Sequence, residues 1–278
     1  MTYNTSSFGA GIRFTVPLSE KNSISYGLTL DNTEVSNLQL DRSPTRFINY
    51  CSSVTNATNS TGCTMNSLIA NIGWTIDSRD DILFPRKGEL RRANAEVSSP
   101  GLDIQMYKIT LQESWYKDLS KDLTVMLNGQ LGFADSYGGK EFPFFKNFYV
   151  GGTNTVRGYR QGSIGPVCLK GDTTCGTSTS TTNMFLGGNK QILANAELFM
   201  PVPFIKNNNQ FRLSAFIDAG NVYGQEESVN LSTLRYSAGI GAMWISPFGP
   251  LKIIYAMPFH NQSTDRTENI QFQMGQQF

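Results

Sequence analysis

Arg157 has the setting of a chemical site. It lies in GGTNTVRGYRQGSIGP, residues 151–166, between Val156 and Gly158 and just ahead of the aromatic Tyr159. The stretch is rich in glycine and otherwise reads as loop. An exposed arginine needs no such frame. An arginine threaded into a tight space and paired does, because a planar guanidinium can satisfy two carboxylates at once. Other chemistries find less support. His260 is the only histidine and sits in a polar loop, so no Ser-His-Asp set assembles around it. GGTNTVRG does not open a helix and is not a phosphate-cradling loop. No cysteine–histidine cluster suggests a metal. The expectation is a protein that is not an enzyme and carries no cofactor.

The four cysteines form two local pairs, Cys51 with Cys63 and Cys168 with Cys175, in Ser/Thr/Asn-rich segments. Neither pair has Cys-x-x-Cys spacing, so two loop-closing disulfides and an oxidising compartment are expected. Over 278 residues, 23 Lys and Arg balance 22 Asp and Glu, which argues against a nucleic-acid partner. Mean hydropathy is −0.27. No run approaches the roughly 18 apolar residues of a membrane helix. The opening MTYNTSSFGAG lacks the basic and apolar parts of a secretory signal, which fits a cytosolic chain or a mature or truncated piece.

The elements that would position these residues announce themselves by a period of two. Phe8, Ala10, Ile12, Phe14 and Val16 alternate with polar or small residues. So do Ile24 to Leu30, Leu68 to Ile76, Ala93 to Val97, Tyr107 to Trp115 and Leu123 to Phe133. The pattern returns in Ile192 to Met200, Phe211 to Ala219, Tyr236 to Trp244, Leu251 to Met257 and Ile270 to Phe278. This predicts about eleven strands and no helix. Polar residues occupy the other face, among them Asn128, Asn195, Arg212, Lys252, Gln271 and Gln273. A soluble sandwich also alternates. Strands of about 9–13 residues favour an all-β transmembrane barrel, antiparallel and up-and-down, because that length crosses a bilayer at a tilt. So do alternating short and long links, and aromatics near strand ends (Trp115, Tyr116, Trp244, Phe248 and Phe259). In such barrels the short turns are periplasmic, which places both cysteine pairs outside and the C-terminus on the periplasmic side. Counting back eleven strands puts residue 1 outside, so the expectation is the C-terminal portion of a longer barrel.

GGKEFPFFKNFYVGGTNTVRGYRQGSIGP, residues 138–166, strongly resembles the sixth extracellular loop of the BamA family, the outer-membrane assembly factors. Val156, Arg157, Gly158 and Tyr159 match the family's Val-Arg-Gly-aromatic motif. LFPRKGEL, ahead of this loop, resembles the family's Phe-Pro turn before a strand; NAELFMPVPF, FIDAGNVY, ISPFGPLKIIYAMPF and NIQFQMGQQF, after it, resemble the family's last strands, and the resemblance runs from about residue 6 to 278. It implies about eleven of an expected sixteen strands, with POTRA domains and the first strands absent from residues 1–278. It implies that a long extracellular loop, about 136–188, folds into the lumen, where Arg157 would meet Glu197 and Asp218. Strand parity agrees: Glu197 is out of phase with Ala194, Ala196 and Leu198, and Asp218 with Ile217 and Ala219. Ile270, Phe272, Met274 and Phe278 resemble the signal that barrels present to the assembly machinery. Gly275 matches a glycine that kinks the last strand beside a lateral gate. The function implied is folding and insertion of β-barrel proteins into the bacterial outer membrane. The partners implied are outer-membrane lipids, unfolded barrel clients and assembly lipoproteins reached through POTRA domains. A two-partner-secretion translocation pore and a passive porin are the competing readings.

Overall fold

The period of two becomes ten long strands and a short last one because each side chain alternates between an oily and a polar surround. They are β1 (Asn4–Ser19), β2 (Asn22–Ser36), β3 (Cys63–Asp77), β4 (Gly88–Ser98), β5 (Met106–Asp118), β6 (Thr124–Ser136), β9 (Lys190–Met200), β10 (Phe211–Tyr223), β11 (Arg235–Ser246), β12 (Gly249–Pro258) and β13 (Ile270–Met274). The short hairpin β7 (Val167–Cys168) and β8 (Met184–Phe185) lies between β6 and β9 and forms its own small sheet. The computed structural model describes residues 3–173, 175, 183–202, 210–247 and 249–275.

All eleven strands join one antiparallel sheet in chain order, with β7 and β8 left out. The fold is the all-β, membrane-barrel type expected. Its edges are β1 and β13, and no pairing joins them among the described residues. The apolar rows face outward: Ile12, Leu28, Ile72, Leu111, Leu131, Ile217, Ile240 and Ile253 are all exposed. A soluble sheet would bury that row, whereas a barrel wall turns it to lipid. Trp115, Trp244 and Phe259 share this outer face. Tyr116 does not. One residue further along the strand, its side chain turns inward beside Arg79. Phe248 lies outside the described residues.

A helix was not expected from the sequence, yet α1 (Thr45–Thr55) forms in the link between β2 and β3. Its Ser, Thr and Asn content gives weak helix propensity, and eleven residues alone are marginal. Packing supplies the difference. Phe47, Ile48, Tyr50 and Cys51 are buried on one face, and Asn56 ends the helix in the left-handed region at φ 53°. Phe47 stacks on Phe144 with ring centroids 4.0 Å apart, and Tyr3 and Tyr50 meet the same ring edge-on. Cys51 is bonded to Cys63 at the start of β3. Cys168 is bonded to Cys175, whose carbonyl accepts the Thr45 amide at 2.9 Å. The two long loops therefore dock as one apolar cap over the long-loop end of the sheet. At the other end, Arg212 of β10 donates to the Pro85 carbonyl of the turn between β3 and β4, stacked over Phe199 at 4.1 Å.

Candidate functional site

The link from β6 to β9 folds back along the inner face of the sheet. Isolated bridges Phe148 with Gly188 and Val150 with Ile164 give it shape, and Val156 and Tyr159 are fully buried. Gly158 is required where it stands. Its φ is +86°, and an added Cβ would lie 3.0 Å from Ala256 Cβ and 3.2 Å from Pro258 Cδ. Only glycine tolerates both the left-handed backbone and the approach to the wall. That turn sends the Arg157 side chain to β9 and β10.

Arg157 donates through Nη1 to Glu197 Oε2 at 2.8 Å and through Nη2 to Asp218 Oδ1 at 2.7 Å. Its Nε and backbone N–H both donate to Asp218 Oδ2, at 2.7 and 3.0 Å. The side chains are 4, 3 and 0 % exposed for Arg157, Glu197 and Asp218. The guanidinium lies 3.4 Å from the centre of the Phe216 ring of β10, a cation–π contact in a buried site. Asn195 Nδ2 donates to Asp218 Oδ1 at 2.8 Å and to the Thr155 carbonyl at 2.7 Å. Its Oδ1 accepts from Asn128, whose own Oδ1 accepts from Ser114 and Gln112. One polar chain thus crosses β5, β6, β9 and β10 and ends on the arginine. Lys252 of β12 interacts electrostatically with Glu197, which gives two cations facing two anions. Such a cluster fixes the loop against the inner face of the sheet, because leaving either carboxylate unpaired in that space is costly.

The two acids carry unequal shares. Asp218 accepts four hydrogen bonds, while Glu197 accepts one from Arg157 and its Oε1 has no direct partner among the described residues. Asp218→Asn is expected to cost about 3 kcal/mol or more, since an amide nitrogen would face N–H donors. Glu197→Gln is expected to cost less than Asp218→Asn, because its amide oxygen can still accept the single Arg157 bond, though Arg157 and Lys252 then face Asp218 alone. Thermal unfolding of the two variants side by side is the check, and equal losses would show that the acids share the load evenly.

The Tyr159 hydroxyl donates to the Tyr236 carbonyl at 3.2 Å and lies 3.4 Å from that of His260. Burial pushes its pKa up, so it stays a neutral donor. His260 is exposed, with Nδ1 2.6 Å from the Leu234 carbonyl, and stands apart from the cluster. In β13, Ile270, Phe272 and Met274 face outward and are strongly exposed, while Gln271 turns inward and is buried. Gly275 has φ +81°, and its amide donates to the Pro250 carbonyl at 2.8 Å. Phe278 lies outside the described residues. Sequence reasoning put Asn195, Lys252 and Gln271 on the polar face by parity but gave them no role. Phe216 was missed, although it shares the parity of Asp218 two residues on.

Residues 1–278 match the Omp85 superfamily domain. The chain is 35% identical over 302 residues to the outer membrane protein assembly factor BamA of Neisseria meningitidis serogroup B, covering 99% of this chain and 37% of that protein. It is 28% identical to the human sorting and assembly machinery component 50 homolog, over 73% of this chain and 44% of the relative. The chain thus spans less than half the length of these relatives. Among solved structures, BamA from Haemophilus ducreyi lacking POTRA domains 1–3 superposes with a TM-score of 0.85 at 27% identity. That match covers 97% of this chain and 54% of the other. CdiB from Acinetobacter baumannii gives 0.59 at 11% identity, over 96% and 41% of the two chains, a likeness of fold alone.

Proposed function

We propose, from the premise that the chain belongs to the Omp85 superfamily, that it takes part in folding β-barrel proteins and inserting them into the bacterial outer membrane. The observation that carries this reading is the Arg157–Glu197–Asp218 cluster, which locks a long loop into the lumen. A filled lumen suits a protein whose work is done at its wall rather than through its centre. The work is non-covalent: strands are templated and moved into lipid, and no bond is broken. The long loops would face outside, with both disulfides, and the C-terminal end of β13 would face the periplasm. The last strand would form one side of a lateral gate, loosened at Gly275, through which unfolded barrel clients reach the lipid. Assembly lipoproteins would act through POTRA domains of the whole protein.

The test is reconstitution of the whole protein in liposomes of outer-membrane lipid with an unfolded client barrel. Folded client is read as a protease-resistant, heat-modifiable band. Folding well above the empty-liposome rate is expected. A rate equal to empty liposomes, together with a large and steady single-channel conductance, would replace this reading with that of a passive porin.

A further inference from the structure

Three charged side chains stand together on the outer face of the wall, where the strands otherwise present apolar rows. Arg91 of β4 pairs directly with Glu113 of β5, and Glu89 pairs with Trp115. The next pair along, Ala93 with Leu111, belongs to the outward row, so all these side chains leave the same face. Leu90, between Glu89 and Arg91, is buried on the other side. Arg91 donates through Nε to Glu113 Oε1 at 3.0 Å, and its Nη2 lies 2.9 Å from Glu89 Oε2. The side chains of Arg91, Glu113 and Glu89 are 45, 57 and 28 % exposed. Arg91 Nη1, Glu113 Oε2 and Glu89 Oε1 have no partner among the described residues.

Charge on a lipid-facing wall is costly at the bilayer midplane and nearly free at the headgroup level. Two tryptophans mark that level here. Trp115 faces Glu89 across the ladder, and Trp74 of β3 pairs with Ala93, one diagonal step from Arg91. Both rings are exposed on the outer face. Such rings gather where hydrocarbon gives way to headgroups. On one side of them the face is apolar, with Val97, Ile109 and Leu111 exposed. On the other, towards the β5–β6 link, Lys117 is exposed with its ammonium 5.9 Å from the centre of the Trp115 ring. The triad therefore sits at the rim that carries the β3–β4 and β5–β6 links. Two acids around one arginine leave an excess negative charge, while the guanidinium keeps a free edge. A group that carries both an ammonium and a phosphate complements both.

We infer that Glu89, Arg91 and Glu113 form a binding site for the headgroup of a zwitterionic aminophospholipid, framed by Trp74 and Trp115. Phosphate oxygens accept from Arg91 Nη1, as guanidinium forks favour. The primary ammonium donates to the free oxygens of Glu113 and Glu89. The acyl chains lie along the apolar face beyond the two rings. The inference rests on the reading that this face meets lipid and that the rim with the β3–β4 and β5–β6 links faces the periplasm. It does not depend on how client proteins are handled. A headgroup held there sets the height of β3 to β5 in the bilayer.

The whole protein, placed in nanodiscs of phosphatidylethanolamine, phosphatidylglycerol and phosphatidylcholine in equal parts, tests this. Lipids retained on the released barrel are counted by native mass spectrometry. Phosphatidylethanolamine should exceed each of the other two by about fivefold, the upper range for one exposed charge pair. Phosphatidylglycerol lacks the ammonium, and the quaternary nitrogen of phosphatidylcholine has no hydrogen to donate. Glu89→Gln combined with Glu113→Gln leaves Arg91 unopposed and should reverse the order in favour of phosphatidylglycerol. Arg91→Gln should lower retention of all three. These side chains lie on the exposed outer face, so heat-modifiable migration of each variant should match the native protein. Equal retention of the three lipids by the native protein would overturn the inference. So would a phosphatidylethanolamine preference that survives the double glutamine variant, or a native preference for phosphatidylglycerol, which would make the patch a rim for anionic lipid. Client folding is read separately: its failure with the lipid ratio intact strikes the proposed function and leaves the site standing.

Discussion

Arg157→Ala is expected to free the lumen loop from the wall. The side chain makes three of the four contacts that Arg157 offers to Asp218 and Glu197, and only the backbone N–H would remain. Both carboxylates would stay buried with Lys252 as the nearest compensating charge. Removing one partner from a buried ion cluster costs about 3–5 kcal/mol, far more than the pair adds over an apolar replacement. Its other ties to the sheet, among them Asn195 to the Thr155 carbonyl, the Tyr159 hydroxyl to the Tyr236 carbonyl, Lys108 to the Lys146 carbonyl and the apolar cap around Phe144, do not neutralise the two buried acids. Cleavage within 137–188 by an added protease should therefore rise sharply while the strands stay protected. Arg157→Lys should fall between, because an ammonium keeps the charge but cannot bridge both acids in the fork geometry. Wild-type protection of the loop in Arg157→Ala would remove the cluster from any role in holding it.

The wall was legible in the sequence and the cap was not, for a physical reason. A strand with lipid on one side and polar lumen on the other must alternate, so Ile217, Asp218 and Ala219 disclose their directions without any neighbour in view. The family resemblance of the motif paired Arg157 with Glu197 and Asp218, and parity agreed by turning both acids inward. The helix at Thr45–Thr55 carries no such mark. Its apolar face is Phe47, Ile48, Tyr50 and Cys51 among polar residues, and what folds it is Phe144, nearly a hundred residues away. Gln271 and Lys252 fall between these cases. Their inward direction follows from alternation, but which loop atom a long side chain reaches depends on how far the loop descends. Gly158 shows the same limit: the sequence marks it as permissive, and only the position of Ala256 and Pro258 makes it necessary. Tyr116 is the converse error, an aromatic at a strand end whose parity should have outweighed its type.

Gly239→Val is expected to damage the wall strongly, at a place where the damage reaches the charged cluster. Gly239 of β11 pairs directly with Phe216 of β10 and shares its inward parity. An added Cβ would lie 2.7 Å from Phe216 Cζ and 2.8 Å from Ala256 Cα, and closer still to the Tyr255 carbonyl. Two of those neighbours are backbone of β12, which cannot retreat without breaking the β11–β12 ladder. The third is the ring on which the Arg157 guanidinium rests at 3.4 Å. Overpacking of this kind costs about 1–3 kcal/mol. Displacing the ring adds roughly 1–2 kcal/mol for the lost cation–π contact. A total near 3 kcal/mol should appear in thermal unfolding, accompanied by protease cleavage within the lumen loop, since the arginine loses its platform. Gly129→Val is the matched control. Gly129 of β6 lies in the outward row with Leu127 and Leu131, and nothing stands within 4 Å of its added Cβ. Its effect should stay within about 0.5 kcal/mol. Combining Gly239→Val with Phe216→Leu should restore part of the loss if the ring is what is displaced. No recovery would place the whole cost on the β11–β12 ladder, and a Gly239→Val protein as stable as Gly129→Val would show that the wall can open by the width of a methyl group without disturbing the arginine.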